Sequence, residues 1–227
     1  MQSQEENLLS GLSILIPFKT DNGRRQQLFD WVVARYQSLL PESEICIGED
    51  DSPIFSRSKA RHNAFEKSTG KYLLFADADT VVYSREQIQV AINYLEIVNT
   101  WVLPYGDYYN LNKEWSDRVL QLKPDTFLGT PVPSMYDHKI ESWAGLVMLT
   151  REMYNRAQPY SEDRFIGWGY EDNLAKEVLN RKIGQYMRAG KYDCLHLWHD
   201  YGEYEGFDSP TIQHNRSIYQ EYLKNEN

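Results

Sequence analysis

Through the first half of this chain, short apolar runs alternate with segments of helical period, and each run stops at a polar loop. The runs are Leu12-Ser-Ile-Leu-Ile16, Glu44-Ile-Cys-Ile-Gly48, Tyr72-Leu-Leu-Phe-Ala76 and Trp101-Val-Leu-Pro-Tyr105. Between the first two, Leu28, Trp31, Val32, Tyr36, Leu39 and Leu40 keep helical spacing until Pro41. A second helix is expected near 56–68, stopped by Gly70, and a third opens on the capping-box pattern Ser84-Arg-Glu-Gln87 and runs to about Val98. A β-α-β-α-β-α-β series implies an α/β fold with a mostly parallel central sheet flanked by helices, in nucleotide-binding topology. Pro104 puts the fourth strand near an edge or an end.

In open sheets of this kind the ligand crevice lies outside the carboxyl ends of the strands. The third run ends there in Asp77-Ala78-Asp79. Alternate residues of an extended chain point the same way, so the two carboxylates share a face. They repel unless a proton or cation joins them, which points to a divalent metal holding a phosphorylated ligand. Exposed loop aspartates after a core strand explain the triplet equally well when it is taken alone.

Two later stretches bear on that choice. Leu195-His196-Leu197-Trp198-His199 can complete a metal site, and histidine with carboxylate suits Mn²⁺ better than Ca²⁺. Strand alternation puts His196 and Trp198 on one face, so His199 reaches the same site only if the chain turns, and both histidines need not bind. Phe165-Ile-Gly-Trp168-Gly169-Tyr170-Glu171-Asp172-Asn173 puts two glycines around a tryptophan and an acidic pair at a helix start. A helix start favours ionised carboxylates, so Asp172 or Glu171 can serve as a general base; a capping Asp beside a buried Trp is the plainer reading.

The remaining chain is ordinary in bulk. At 227 residues, with 41% hydrophobic and 25% charged content, it is a globular sequence long enough for one sizeable core or two small ones. A net charge of −9 argues against a general grip on nucleic acid. No apolar window reaches membrane-spanning length, and the start lacks the basic and apolar parts of a secretory leader. Cys46 and Cys194 lie in apolar runs and read as buried free thiols, consistent with a reducing cytoplasm. The reading is a single domain over 1–227, with a polar tail at 1–10, an irregular 106–142 that could act as a mobile or acceptor-binding loop, and a terminal helix over 209–224. In that loop, Tyr108, Tyr109 and Trp115 are candidates to close over a ligand.

Pro17-Phe18-Lys19, the acidic pair Asp50-Asp51, Phe55-Ser-Arg57 with Asn63 downstream, Asp77-Ala-Asp79, Gly167-Trp-Gly-Tyr-Glu-Asp172 and His196-Leu-Trp-His199 occur in this order. The series resembles metal-dependent glycosyltransferases of the GT-A (Rossmann-like) fold. Within them it is most similar to the β-1,4-galactosyltransferase and chondroitin-polymerase group, and more distantly to polypeptide N-acetylgalactosaminyltransferases. The resemblance implies transfer of a hexose or N-acetylhexosamine from a UDP-sugar to an acceptor hydroxyl, with Mn²⁺ (or Mg²⁺) as cofactor and inversion of configuration. By that likeness Pro17, Phe18 and Lys19 line the nucleotide pocket, Asp50 or Asp51 faces the uracil, and Arg57, with Arg61 as a second basic candidate, meets the diphosphate or base. Asp79 binds the metal, with His199 or His196 completing the coordination, and Asp77 meets the ribose or the metal through water. Ala144-Gly145 lies against the donor sugar, Trp168 forms the acceptor floor, Glu171 holds sugar hydroxyls and Asp172 deprotonates the acceptor. The acceptor is a glycan or another hydroxyl-bearing molecule, nucleic acid entering only in that role. Tyr170 stands where the galactosyltransferases commonly have glycine, and Asn173 where another aspartate is usual, so sugar identity is left open. Animal relatives carry an anchor and stem, whereas this chain starts almost at the catalytic domain, as a bacterial or phage enzyme would. The competing readings are a nucleotidyltransferase, disfavoured because Pro17-Phe-Lys-Thr lacks a Gly-rich phosphate loop, a non-catalytic nucleotide-sugar-binding module, and a metallohydrolase, which leaves the tryptophan-glycine motif unexplained.

Overall fold

Strand β1 (Leu12–Pro17) is buried along its whole length, as an apolar run without polar alternation requires when both faces of a sheet are covered. In the computed structural model, which describes residues 8–200 and 209–225, β1 is flanked by β2 (Glu44–Gly48) and β3 (Tyr72–Ala76), both parallel to it. Helix α1 (Arg24–Leu39) connects β1 to β2, and α2 (Arg57–Lys67) connects β2 to β3. The Ser56 hydroxyl caps α2 by accepting from Lys59 N–H. The polar tail expected over 1–10 falls largely outside the described residues.

After β3 the chain enters β4 (Thr80–Val81), α3 (Arg85–Val98), β5 (Val102–Leu103), β6 (Tyr108–Leu111) and α4 (Lys113–Leu120). It continues through β7 (Tyr136–Ile140), β8 (Leu146–Thr150), α5 (Arg151–Ala157) and α6 (Glu171–Lys182) to β9 (Met187–Arg188), β10 (Cys194–His196) and α7 (Pro210–Asn225). Ser84 caps α3 as its pattern requires, although the Gln87 carboxamide reaches back to Tyr83 N–H rather than to Ser84.

Two sheets result. The first has strand order β2-β1-β3-β8-β5-β9, in which β8 alone runs against its neighbours; the second has order β4-β10-β6-β7. Strand β5 lies one place from the edge, in keeping with Pro104. The stretch 106–142 differs from the expected irregular loop, since it contains β6, α4 and β7 and so supplies half the strands of the second sheet. Tyr108 is accordingly a buried wall residue rather than part of a lid. The last strand is shorter than the apolar run 192–198 because the chain leaves the ladder after His196. Both cysteines are free and buried, and among the described residues no helix is long and apolar enough to cross a membrane.

The two sheets meet at Asp77–Thr80. Strand β3 belongs to the first sheet and β4 to the second, so the Asp77-Ala78-Asp79 link is the crossing point. Asp77 N–H donates to the Gly145 carbonyl, and Thr80 Oγ1 bonds the carbonyls of both Asp77 and Gly145. Strand β10 pairs with β4 so that His196 stands opposite Thr80, and Leu197 N–H donates to the Asp79 carbonyl. That register delivers the late histidines to the early aspartate.

Candidate active site

Asp79 is buried and receives both histidines. His196 Nε2 lies 3.5 Å from Asp79 Oδ1, and His199 Nε2 lies 3.2 Å from Asp79 Oδ2. One ligand atom from each of the three residues falls within 4.8 Å of the others. Burial opposes ionisation of Asp79, but the two imidazoles and Arg25 overcome it and hold the carboxyl below its usual range. His199 Nδ1 is 2.8 Å from the Asp200 carbonyl, so that nitrogen carries the proton. Its Nε2 then faces a carboxylate oxygen and needs a proton or a cation between them. Burial disfavours charge on both histidines; at His199 the Asp79 carboxylate more than offsets it and raises the pKa, while at His196 burial prevails and lowers it. His196 Nδ1 is buried with no hydrogen-bond partner among the described residues. A carboxylate and two imidazoles that each turn a nitrogen toward it fit a divalent transition metal such as Mn²⁺.

The trio lines a cavity of about 610 Å³ at the carboxyl ends of β1 and β3, a size ordinary for cofactor and substrate sites. Pro17, Phe18 and Lys19 form one wall, with Phe18 stacked on Phe29 at 3.9 Å between centroids. Arg57, Asp77, Gly145, Trp168 and Asp172 also line it. Trp168 is 41% exposed, and its loop owes its shape to left-handed backbone at Gly167, Gly169 and Tyr170. Buried Asn215 of α7 clamps that loop: its carboxamide accepts from Ile166 N–H and donates to the carbonyls of Ile166 and Trp168.

Four of the expected site residues are placed otherwise. Asp50 is buried away from the cavity, accepting from Ser52 Oγ and Ser56 N–H and pairing with Lys59, so it shapes the loop that starts α2. Asp51 is exposed and does not line the cavity. Arg61 does not reach the cavity either, because its guanidinium is spent on Asp77 Oδ1 at 2.7 Å and Asp172 Oδ1 at 2.6 Å. Glu171 lies beneath the wall, accepting from Gly169 N–H at 2.7 Å and standing 3.5 Å from Arg57 Nε. Burial raises the Glu171 pKa against the pull of Arg57. Asp77 does not point at the histidines; Arg61 and Arg57 grip it, and despite burial they hold its carboxyl low.

The structure also adds residues that sequence reasoning missed. Arg25 lies 3.9 Å from Asp79 Oδ2, and Asn110, Ile54 and Ile140 line the same cavity, beside Tyr108, which was expected only as part of a closing loop. Asn110 shares a strand face with Tyr108, which only the observed strand makes evident.

The fold is that of GT-A, Rossmann-like glycosyltransferases. A glucosyl-3-phosphoglycerate synthase from Mycobacterium tuberculosis, solved with Mn²⁺, UDP-glucose and phosphoglyceric acid, superposes with a TM-score of 0.53 at 13% identity, covering 97% of this chain and 84% of that one. A Drosophila β-1,4-galactosyltransferase 7, solved with manganese, UDP-Gal and xylobiose, gives 0.50 at 14% identity over 84% of this chain and 71% of that one. S. aureus TarS gives 0.50 at 11% identity over 82% and 60%. No family model and no curated protein matches the chain.

Proposed function

We propose that this chain is a metal-dependent, inverting glycosyltransferase that moves a hexose or N-acetylhexosamine from a UDP-sugar to an acceptor hydroxyl. The observation that carries the reading is convergence: Asp79, His196, His199, Asp172 and the exposed face of Trp168 line one cavity at the carboxyl end of β3. A GT-A fold shared with structures solved with manganese and UDP-sugars supports it.

Asp79, His196 and His199 would hold the cation, which when bound neutralises charge on the diphosphate leaving group. The chain's own residues supply the rest. Phe18, backed by Phe29, offers an apolar surface for the base, and Lys19, Arg25 and Arg57 bring cationic side chains to the cavity for the diphosphate. Asp172, with one oxygen fixed by Arg61, takes the proton from the acceptor hydroxyl as that oxygen attacks the anomeric carbon from the face opposite UDP. One displacement assisted by a base inverts the configuration. Trp168 gives an acceptor sugar an apolar stacking surface. A glycan is the favoured acceptor, and the net charge of −9 counts against DNA in that role.

The test is UDP-sugar cleavage and UDP binding with added Mn²⁺, repeated with EDTA. Cleavage that requires the metal is expected. Absence of both cleavage and UDP binding overturns the enzyme, whereas metal-dependent UDP binding without cleavage identifies a binding module.

A further inference from the structure

One wall of the cavity has no role in this scheme. Strand β6 turns Tyr108 and Asn110 to the cavity, as residues two apart on a strand share a face. Tyr108 is 6% exposed, yet its hydroxyl makes no hydrogen bond among the described residues and is not sealed from the cavity. The Asn110 carboxamide is likewise unbonded to any described residue. Tyr108 is buried and Asn110 half-buried, and with no partner for either among the described residues, both polar groups are left facing the cavity for water or a bound ligand.

Their position is fixed from two sides. The Tyr108 ring lies against His196, with centroids 6.0 Å apart and planes at 28°, and Asn110 is the register partner of His196 across the β6–β10 ladder. On the other side Tyr108 packs onto Gly145, where a Cβ would come within 2.6 Å of its Cε2 and 3.1 Å of its hydroxyl oxygen. Gly145 also has φ +83°, so glycine is required twice over. The phenol is therefore held between the His196 imidazole and the glycine at the head of β8.

The geometry points to Tyr108 and Asn110 as the residues that read the hydroxyl or N-acetyl pattern of the transferred sugar. This rests on the glycosyltransferase reading above. Both groups are neutral and both donate and accept, which matches a sugar hydroxyl or acetamide, whereas the charge of a diphosphate is better met by Lys19, Arg25 and Arg57 on the same cavity. They stand on the His196 side of the cavity, so the sugar within reach is the one carried on the diphosphate rather than the acceptor beside Trp168. A sugar with the wrong epimer leaves buried polar groups unpaired, which is how enclosed sites reject close analogues.

The test uses Tyr108→Phe, which keeps the ring contacts with His196 and Gly145, and independently Asn110→Ala. Each is assayed with UDP-glucose, UDP-galactose, UDP-N-acetylglucosamine and UDP-N-acetylgalactosamine, and with UDP alone. Expected are a fall of about tenfold or more in kcat/KM for the preferred donor and a collapse of its advantage over the C4 epimer. The Kd for UDP should stay within about twofold, since UDP lacks the transferred sugar. An unchanged donor profile in both variants overturns the assignment while leaving the enzyme intact. So does a loss of UDP affinity that matches the loss in kcat/KM, which would make these residues supports of the nucleotide site. A wild-type protein that neither cleaves UDP-sugars nor binds UDP overturns the underlying reading and this one with it.

Discussion

Replacing Arg61 with methionine should expose how the floor of the site is held. Arg61 is 2% exposed, and its guanidinium bridges Asp77 at the end of β3 to Asp172 in the first turn of α6, with the Tyr160 ring 5.1 Å away. Arg57 adds contacts at 3.0 Å to Asp77, 3.5 Å to Glu171 and 4.0 Å to Asp172. Two cations thus face three carboxylates, and Arg61→Met leaves one. Removing one member of such a buried cluster typically costs about 3–5 kcal/mol, a large share of the roughly 5–15 kcal/mol that keeps a domain folded. The cost should depend on pH with a definite sign. Burial already raises the Glu171 carboxyl above its unfolded value, and losing Arg61 raises it further. A raised folded pKa means the native state binds the extra proton. The variant is therefore most stable below the unfolded carboxyl pKa and loses stability as pH rises through the folded one, by up to about 1.4 kcal/mol per pH unit per proton. Urea unfolding of both proteins at pH 7.5 and 5.5 measures this. A loss under about 1 kcal/mol at pH 7.5, or an equal loss at both pH values, would refute the account, because a true buried cluster cannot shed a cation so cheaply. Arg61→Lys should lie between, since one ammonium cannot span both carboxylates.

Other outcomes follow from the same geometry. Asp172→Asn retains an oxygen for Arg61 and should cut turnover by about 10²–10⁴-fold with UDP binding preserved; near-normal turnover rules Asp172 out as the base. Mn²⁺ must displace the proton from His199, whose pKa is raised despite burial by Asp79, so affinity should weaken by about tenfold per pH unit below that pKa. Calorimetric titration at several pH values checks this, and a flat profile contradicts it. Asn215→Ala strands the Ile166 N–H and the carbonyls of Ile166 and Trp168 and should cost about 2–4 kcal/mol in urea unfolding. A change below about 0.5 kcal/mol would mean that α7 does not support the Trp168 loop.

The elements that were legible in the sequence are those whose signal is local. Tyr72–Ala76 is buried throughout and reads as a core strand from composition alone, and Ser56, Ser84 and Thr150 cap the helices that follow them through their own hydroxyls. Strand β7 carries no such signal: Tyr-Asp-His-Lys-Ile lies at a sheet edge, largely exposed, with no apolar face to impose a period of two. Strand β4 has only two residues, and its pairing with β10 joins positions far apart in the chain. Yet that pairing is what puts His196 beside Asp79. Side-chain chemistry divides in the same way. The Asp-Ala-Asp, His-Leu-Trp-His and Trp-Gly patterns combine uncommon residues at fixed spacing, so a shared site could be proposed before any contact was known, and residues of all three line one cavity. An arginine at position 61 suits a phosphate ligand and a buried strut equally, and only the proximity of Asp77 and Asp172 decides for the strut. Tyr108 reads as one of three aromatics on a closing loop until the sheet places its unbonded hydroxyl in the cavity between Gly145 and His196. What a residue can do is written in its type; what it is free to do depends on which partners the fold has already given it.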